Sequence, residues 1–378
     1  MKLVRPPSGS AVQDKFLAAR AELSAALVER DDEIDLVLTA LVAGEHVLLV
    51  GPPGTAKSLL LDSVARWLAG RRFTALLTKF TQPDELFGPV SLAGLKEDRF
   101  VRVTAGRLPE ADVCFLDEVF KASSAILNTL LRILNERTFD DGSGAARPVP
   151  LRLCVAASNE WPSAFEGGKE LAAVFDRFAF RKAVRPVLSG DGRRRLLWAD
   201  DLTPAMSATV TPAEVDQARR DAAALPWADD ARAALEEVLR ELAREGVRPG
   251  DRRQRKAVGA ARAAAWLAGA DRVEPEHLEA LQHVLWDDPE EQPAACARVI
   301  AKVANPAGMR VTGLLVEVEG VLAGTDIRNL SSAAAAAAKL AEIDRQLAAL
   351  AVTGRVEKAR AYVKAQLKQL KLASIEAL

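Results

Sequence analysis

The chain has 378 residues, with 51 Lys and Arg against 52 Asp and Glu, for a net charge of −1. That balance excludes a global positive field of the kind that draws proteins to nucleic acid, and an acidic excess of the kind that keeps chains unfolded. The length suffices for two or three compact units.

The first periodic stretch, residues 12–43, reads as helical, with Phe16, Leu23, Leu27, Ile34, Leu38 and Leu41 facing inward. Short apolar runs follow at 46–50, 73–78, 113–117, 151–156 and 179–184, mostly separated by helical segments. This alternation predicts an α/β fold with a parallel sheet covered on both faces. Residues 186–212 are rich in Pro, Gly, Arg and Thr and read as a linker. From 213 to 286 the pattern is helical, broken at Gly246–Gly250 and at Gly269. Pro289 and Pro293 mark a further joint. The tail carries an alanine run at 333–338 and two amphipathic stretches, one with Leu340, Ile343, Leu347 and Leu350, the other with Val356, Val363, Leu367 and Leu370. Gly354 lies between them, which predicts a terminal helical hairpin. No apolar run approaches the roughly 20 residues of a membrane-spanning helix, and the start lacks the basic and apolar regions of a signal peptide. Cys114, Cys154 and Cys296 are an odd set, two of them in apolar runs, and read as reduced buried thiols of a cytoplasmic protein.

The apolar run Val47–Val50 leads directly into Gly51-Pro52-Pro53-Gly54-Thr55-Ala56-Lys57-Ser58. A glycine turn between a strand and a helix start offers backbone N–H groups and a positive helix end to phosphate oxygens. Lys57 would reach the β- and γ-phosphates and Ser58 would ligate Mg²⁺. Ala56 stands where the common pattern has glycine, and its methyl group restricts φ. A second strand, Val113–Leu116, ends in Asp117 and Glu118. Asp117 would hold Mg²⁺ through water, and Glu118 would orient and deprotonate the attacking water. A strand ending in acidic turn residues is common by itself; its place after the phosphate loop gives it meaning. A third strand ends in Asn159, which fits a polar sensor between the carboxylates and the γ-phosphate, although an Asn that caps a turn is the commoner case. Arg177, with Arg181 beyond it, lies beside the last apolar run. It could serve as an ion-pair partner or as a finger inserted into a neighbouring subunit's site. Arg252 and Arg253 open a helix of the second unit, where a solvated basic face competes with a phosphate sensor.

Five elements in this order resemble the AAA+ ATPases. The stretch Phe80–Ser91 resembles the helix-two insert region of the MoxR family, as does Gly106–Ala111 before the carboxylate strand. Phe115–Ala122, Ala125–Leu131, Asn135–Phe139, Ala157–Glu160 and Gly250–Arg253 are most similar to its RavA-type subfamily, which also tolerates alanine at the position of Ala56. The resemblance covers about residues 20–305.

The resemblance implies a P-loop NTPase core, a five-stranded parallel sheet between helices, over 1–187, with an insert near 88–105. A linker at 188–212, a helical lid at 213–290 and a helical extension at 291–378 would follow. It implies ATP and Mg²⁺ as ligands, in a hexameric ring with sites between subunits. The nucleotide set would be Gly51, Pro52, Pro53, Gly54, Thr55, Ala56, Lys57, Ser58 and Leu59, with Asp117 and Arg253. Ser58 and Asp117 would serve the metal, and Glu118, Asn159, Arg177 and Arg252 the chemistry. Arg181 competes with Arg177 as finger, and Arg253 with Arg252 as second sensor. The backbone of Leu27–Arg30 would line part of the adenine pocket. The insert, with Phe87, Leu92, Leu95, Phe100 and Val101 among Lys96, Arg99 and Arg102, would face a client as a hairpin. The partner implied is a protein with a von Willebrand factor A domain, and the outcome is remodelling or maturation of a protein complex. An ATP-driven nucleic-acid motor is the alternative, disfavoured by the neutral charge and the single tyrosine. His46, His277 and His283 read as structural, and Trp198, Trp227, Trp266 and Trp286 as filling the helical core. Arg193–Arg195 reads as part of a solvated linker.

Overall fold

The computed structural model describes residues 11–164, 168–325, 330–350 and 354–376. The first periodic stretch forms two helices, α1 (Ala11–Ala26) and α2 (Asp31–Ala43). They part at a turn in which Glu29 adopts a φ of 54°. There follow β1 (Val47–Val50), α3 (Lys57–Trp67), β2 (Arg72–Leu76), α4 (Pro83–Phe87), α5 (Leu92–Leu95), β3 (Val113–Asp117), α6 (Ser124–Glu136), β4 (Thr138–Asp140), β5 (Ala146–Pro148), β6 (Leu153–Ser158), α7 (Gly168–Arg177) and β7 (Phe180–Ala183). The five apolar runs become one sheet in the order β2-β3-β6-β1-β7, and every pairing is parallel. β1, β3 and β6 are buried almost throughout, as strands covered on both faces must be. Cys114 and Cys154 are register partners on β3 and β6, and all three cysteines are free and buried.

The insert departs from the expected hairpin. Residues 88–105 hold the short helix α5, closed by a single antiparallel bridge from Val90 to Arg102. The hairpin lies elsewhere: β4 and β5 pair antiparallel, an element that the sequence pattern did not announce. The insert docks on that hairpin. The Arg102 N–H donates to the Asp141 carbonyl at 2.8 Å, and the rings of Phe87 and Phe139 stack with centroids 5.7 Å apart.

The stretch expected as a linker contains α8 (Gly190–Trp198), capped by the Ser189 hydroxyl, which accepts the Gly192 N–H. Trp198 does not fill the core: it is 79% exposed, because α8 turns that end toward solvent. Trp266 and Trp286 are buried, and Trp227 packs half-buried against the same core. The lid comprises α9 (Pro212–Ala224), α10 (Asp229–Arg244), α11 (Asp251–Leu267), a 3-10 segment (Pro275–His283) and α12 (Gln292–Ala304). Cys296, Val299 and Ile300 of α12 join the main core, so the lid layer runs past residue 290 to Ala304.

The tail is α13 (Pro306–Ala323), α14 (Leu330–Ala348) and α15 (Gly354–Glu376). α14 and α15 pack with α13 around a second core that includes Val311, Val318, Leu340, Ile343, Leu347 and Val363. No helix among the described residues is long and apolar enough to cross a membrane.

Candidate active site

The loops after β1, β3 and β6 meet at the carboxyl edge of the sheet, where ligands of open α/β sheets bind. The first carries the glycine turn. A Cβ on Gly51 would lie 2.2 Å from the Val184 carbonyl, so only glycine lets the chain pass there. Gly54 has a φ of 79° and Ala56 a φ of 61°, both left-handed, and α3 starts directly after. The Gly51 N–H donates to the Ser158 carbonyl at 3.0 Å, which ties the loop to the end of β6.

Lys57 is buried, and its Nζ donates to the Gly51 carbonyl at 2.6 Å and the Pro52 carbonyl at 2.9 Å. Burial lowers its pKa, while Asp117 and Glu118 work the other way and hold the charge. Ser58 is exposed at the helix start, beside half-buried Leu59. At the end of β3, Asp117 Oδ1 accepts the Glu118 N–H at 3.0 Å. Glu118 itself takes a left-handed φ of 54°, a strained setting for a side chain with a Cβ. The Asn159 amide donates to Glu118 Oε1. Oε2 is buried and accepts no hydrogen bond, with the Lys121 ammonium 3.4 Å away. The structure therefore brings Lys57, Asp117, Glu118 and Asn159 to one place.

A cavity of about 260 Å³ opens beside the loop, lined by Leu27, Val28, Arg30, Gly54, Arg193 and Leu196 among others. Three residues of the segment expected to line the base pocket, Leu27, Val28 and Arg30, are among its walls. Arg193 lines this cavity from α8, and Arg193–Arg195 are exposed as expected, though on a helix and not in an irregular linker. Arg30 was expected to lend only its backbone; the role of its side chain had no signal in the sequence. It is buried, donating to the Thr55 carbonyl at 3.0 Å and the Arg185 carbonyl at 2.8 Å, so it braces the glycine turn from behind. A larger cavity of about 400 Å³ lies between α1, α2 and the lid and includes no residue of the phosphate loop.

The four arginines are not gathered at this loop. Arg253 is 4% exposed and is corrected as a nucleotide contact of its own chain. Its guanidinium is used by Asp176 at 2.8 Å, Asp287 at 2.9 Å and the Val284 carbonyl at 3.0 Å. Arg181 is fully buried and stacks 3.8 Å over the Phe175 ring, which removes it as a reaching finger. Arg252 is exposed and donates to the Asn135 side chain. Arg177, the last residue of α7, is half-buried and pairs with Asp176 at 2.9 Å. The three histidines are in structural settings. His46 accepts the Cys154 N–H at 2.9 Å, His277 caps the 3-10 segment, and His283 is half-buried near Lys182 and Asp32.

Comparison with known proteins adds the lineage. The family model described as "MoxR domain in the MoxR-vWA-beta-propeller ternary systems" matches residues 14–214, and that of an AAA lid domain matches residues 232–296. An uncharacterised protein of Methanocaldococcus jannaschii is 40% identical over 274 residues, covering 72% of this chain and 71% of its own. Protein MoxR of Methylorubrum extorquens is 29% identical over 313 residues, covering 74% and 89%. Among solved structures, a candidate ATPase from Cytophaga hutchinsonii superposes with a TM-score of 0.61 over 78% of this chain and 95% of that one. Its sequence identity is 17%, so that likeness speaks for the fold alone.

Proposed function

We propose that this chain, which belongs to the MoxR family of AAA+ ATPases, hydrolyses ATP in an oligomeric ring and uses the cycle to remodel or mature a protein complex. One observation carries the catalytic part: Lys57, Asp117, Glu118 and Asn159 converge at the carboxyl edge of the sheet, with the Asn159 amide on Glu118. Lys57 and the backbone N–H groups of residues 54–58 hold the phosphates. Ser58 and Asp117 are hard oxygen donors and would hold Mg²⁺, which when bound would supply positive charge beside the transferring phosphoryl group. Glu118 Oε2, buried and without a hydrogen bond, is the acceptor for the proton of the attacking water. Asn159 fixes the other oxygen and so the direction of the carboxylate.

In this reading Arg177 serves the site of the next subunit, and Arg252, exposed at the start of α11, is the second sensor. Neither lies on the phosphate loop of its own chain, which supports action between subunits and hence a ring. A von Willebrand factor A domain partner is supported by the systems named in the matching family description. Phe80, Leu92 and Phe100 are exposed on the insert side and supply an apolar face for the client.

The test is Glu118→Gln. The variant is expected to bind ATP as the parent does and to lose turnover by about 10²- to 10⁴-fold. Retained turnover would remove Glu118 as the base. The trapped variant, pulled from native lysate after nuclease treatment, is expected to bring down a stoichiometric von Willebrand-type protein. Recovery of nucleic acid alone, lost on nuclease treatment, would favour a motor.

A further inference from the structure

Arg177, Arg181 and Arg253 share two carboxylates. Asp176 Oδ1 takes Arg253 at 2.8 Å and has Arg181 at 3.8 Å, while Oδ2 takes Arg177 at 2.9 Å. Asp287 takes Arg253 at 2.9 Å and Arg181 at 3.4 Å. Within this cluster three guanidiniums face two carboxylates, so one positive charge is left over. Arg181 and Arg253 are buried and saturated with backbone carbonyls as well. The surplus falls to Arg177, which is 23% exposed and whose Nε is without a partner. An anion from outside the chain is the natural complement.

The cluster also joins two bodies. Arg253 is on α11 and Asp287 follows the 3-10 segment, both in the lid. Arg181 is on β7, and its Nε and Nη2 donate to the Phe178 and Phe175 carbonyls at 2.8 and 3.0 Å, clamping the end of α7 to the sheet. Asp176 is the group that touches both the lid arginine and Arg177. A shift of the lid moves Arg253, and the carboxylate that follows it has Arg177 on its other oxygen.

We propose that Asp176 is a positioning residue that ties the Arg177 finger to the lid of its own chain, so that lid orientation in one subunit sets whether its finger enters the neighbour's site. This rests on the reading of Arg177 as a finger given to a neighbouring subunit. Asp176 touches no substrate in this scheme; it acts through Arg177.

Mixed rings test it. Subunits carrying Lys57→Ala bind no nucleotide but offer a finger; subunits carrying Arg177→Ala bind nucleotide and offer none. Mixing the two is expected to restore ATP turnover. Adding Asp176→Asn, nearly the same shape without the charge, to the Lys57→Ala finger donor is expected to cut the restored turnover about 10²-fold, the scale of a small misplacement. Adding it to the Arg177→Ala recipient is expected to cost far less, since that subunit gives no finger. Arg253→Gln breaks the tie from the lid side and is expected to show the same donor-only loss. Equal losses in donor and recipient would show a general structural lesion and overturn the positioning role. Undiminished rescue by the Asp176→Asn donor would overturn it too. If the simple mixture restores nothing, the trans finger falls, and the positioning role with it.

Discussion

Ala56 sits in the left-handed region at the N-terminus of α3, where a side chain with a Cβ costs about 1–2 kcal/mol. The glycine of the common pattern would sit there without that strain, at some cost in chain entropy. Ala56→Gly is therefore expected to raise folding stability by about 1 kcal/mol, read as a higher urea midpoint, with ATP binding retained. A lower midpoint would mean that the methyl group packs usefully. At this scale the sequence told much. Asp117, Glu118 and Asn159 were legible because each stands at the end of an apolar strand, and Lys57 because it closes the glycine turn that follows one. Arg30 and Arg193 were not, since their roles arise from contacts with Thr55 and the cavity wall, far along the chain. Arg253 misled for the same reason: its neighbour in sequence suggested a phosphate sensor, while its partners Asp176 and Asp287 come from other elements.

Among elements, the inner strands β1, β3 and β6 were legible as runs of Val, Leu, Ala, Cys and Phe, because burial on both faces leaves a nearly unbroken apolar signature, while the edge strands β2 and β7 carry Arg, Thr and Lys among their apolar residues. The β4–β5 hairpin was hidden. Its strands are three residues each, β5 is exposed throughout, and neither alternates. Its role shows only in space, where the insert rests on it. At Gly142, whose φ is 88°, a Cβ would lie 1.9 Å from the Phe100 carbonyl. Gly142→Ala should push the hairpin off the insert, at a cost of about 1–3 kcal/mol. Hydrogen exchange should then quicken at 88–105 and 138–148 while α3 stays protected. Unchanged exchange in both segments would show that the contact is dispensable. α8 was missed because its arginines and glycines read as loop composition, yet the Ser189 cap and the cover it gives the loop make it a helix.

For the molecule as a whole, acid is the expected weakness. Burial, with the Lys182 charge adding to it and Asp32 opposing, pushes the His283 pKa down to about 4. The unfolded imidazole takes its proton near pH 6.5. Stability from this group is thus complete above about pH 6.5 and drains as pH falls toward 4, by up to about 3 kcal/mol. Burial shifts His46 and His277 the same way. Urea midpoints measured across this window should fall, and His283→Gln should flatten the slope. An unchanged slope would place the acid sensitivity elsewhere. Asp176 belongs to a lower window: burial opposes its charge, but Arg253, Arg181 and Arg177 hold it below the usual carboxylate range.

The tail core, from Val311 to Leu370, and the main core share no buried side chain among the described residues. Free energies of distant, unconnected sites add. Substitutions inside α13, α14 and α15 and those in the nucleotide-binding body should therefore be felt separately. That independence makes the tail a cassette: its surface can be rewritten without disturbing how the sheet and the lid pack.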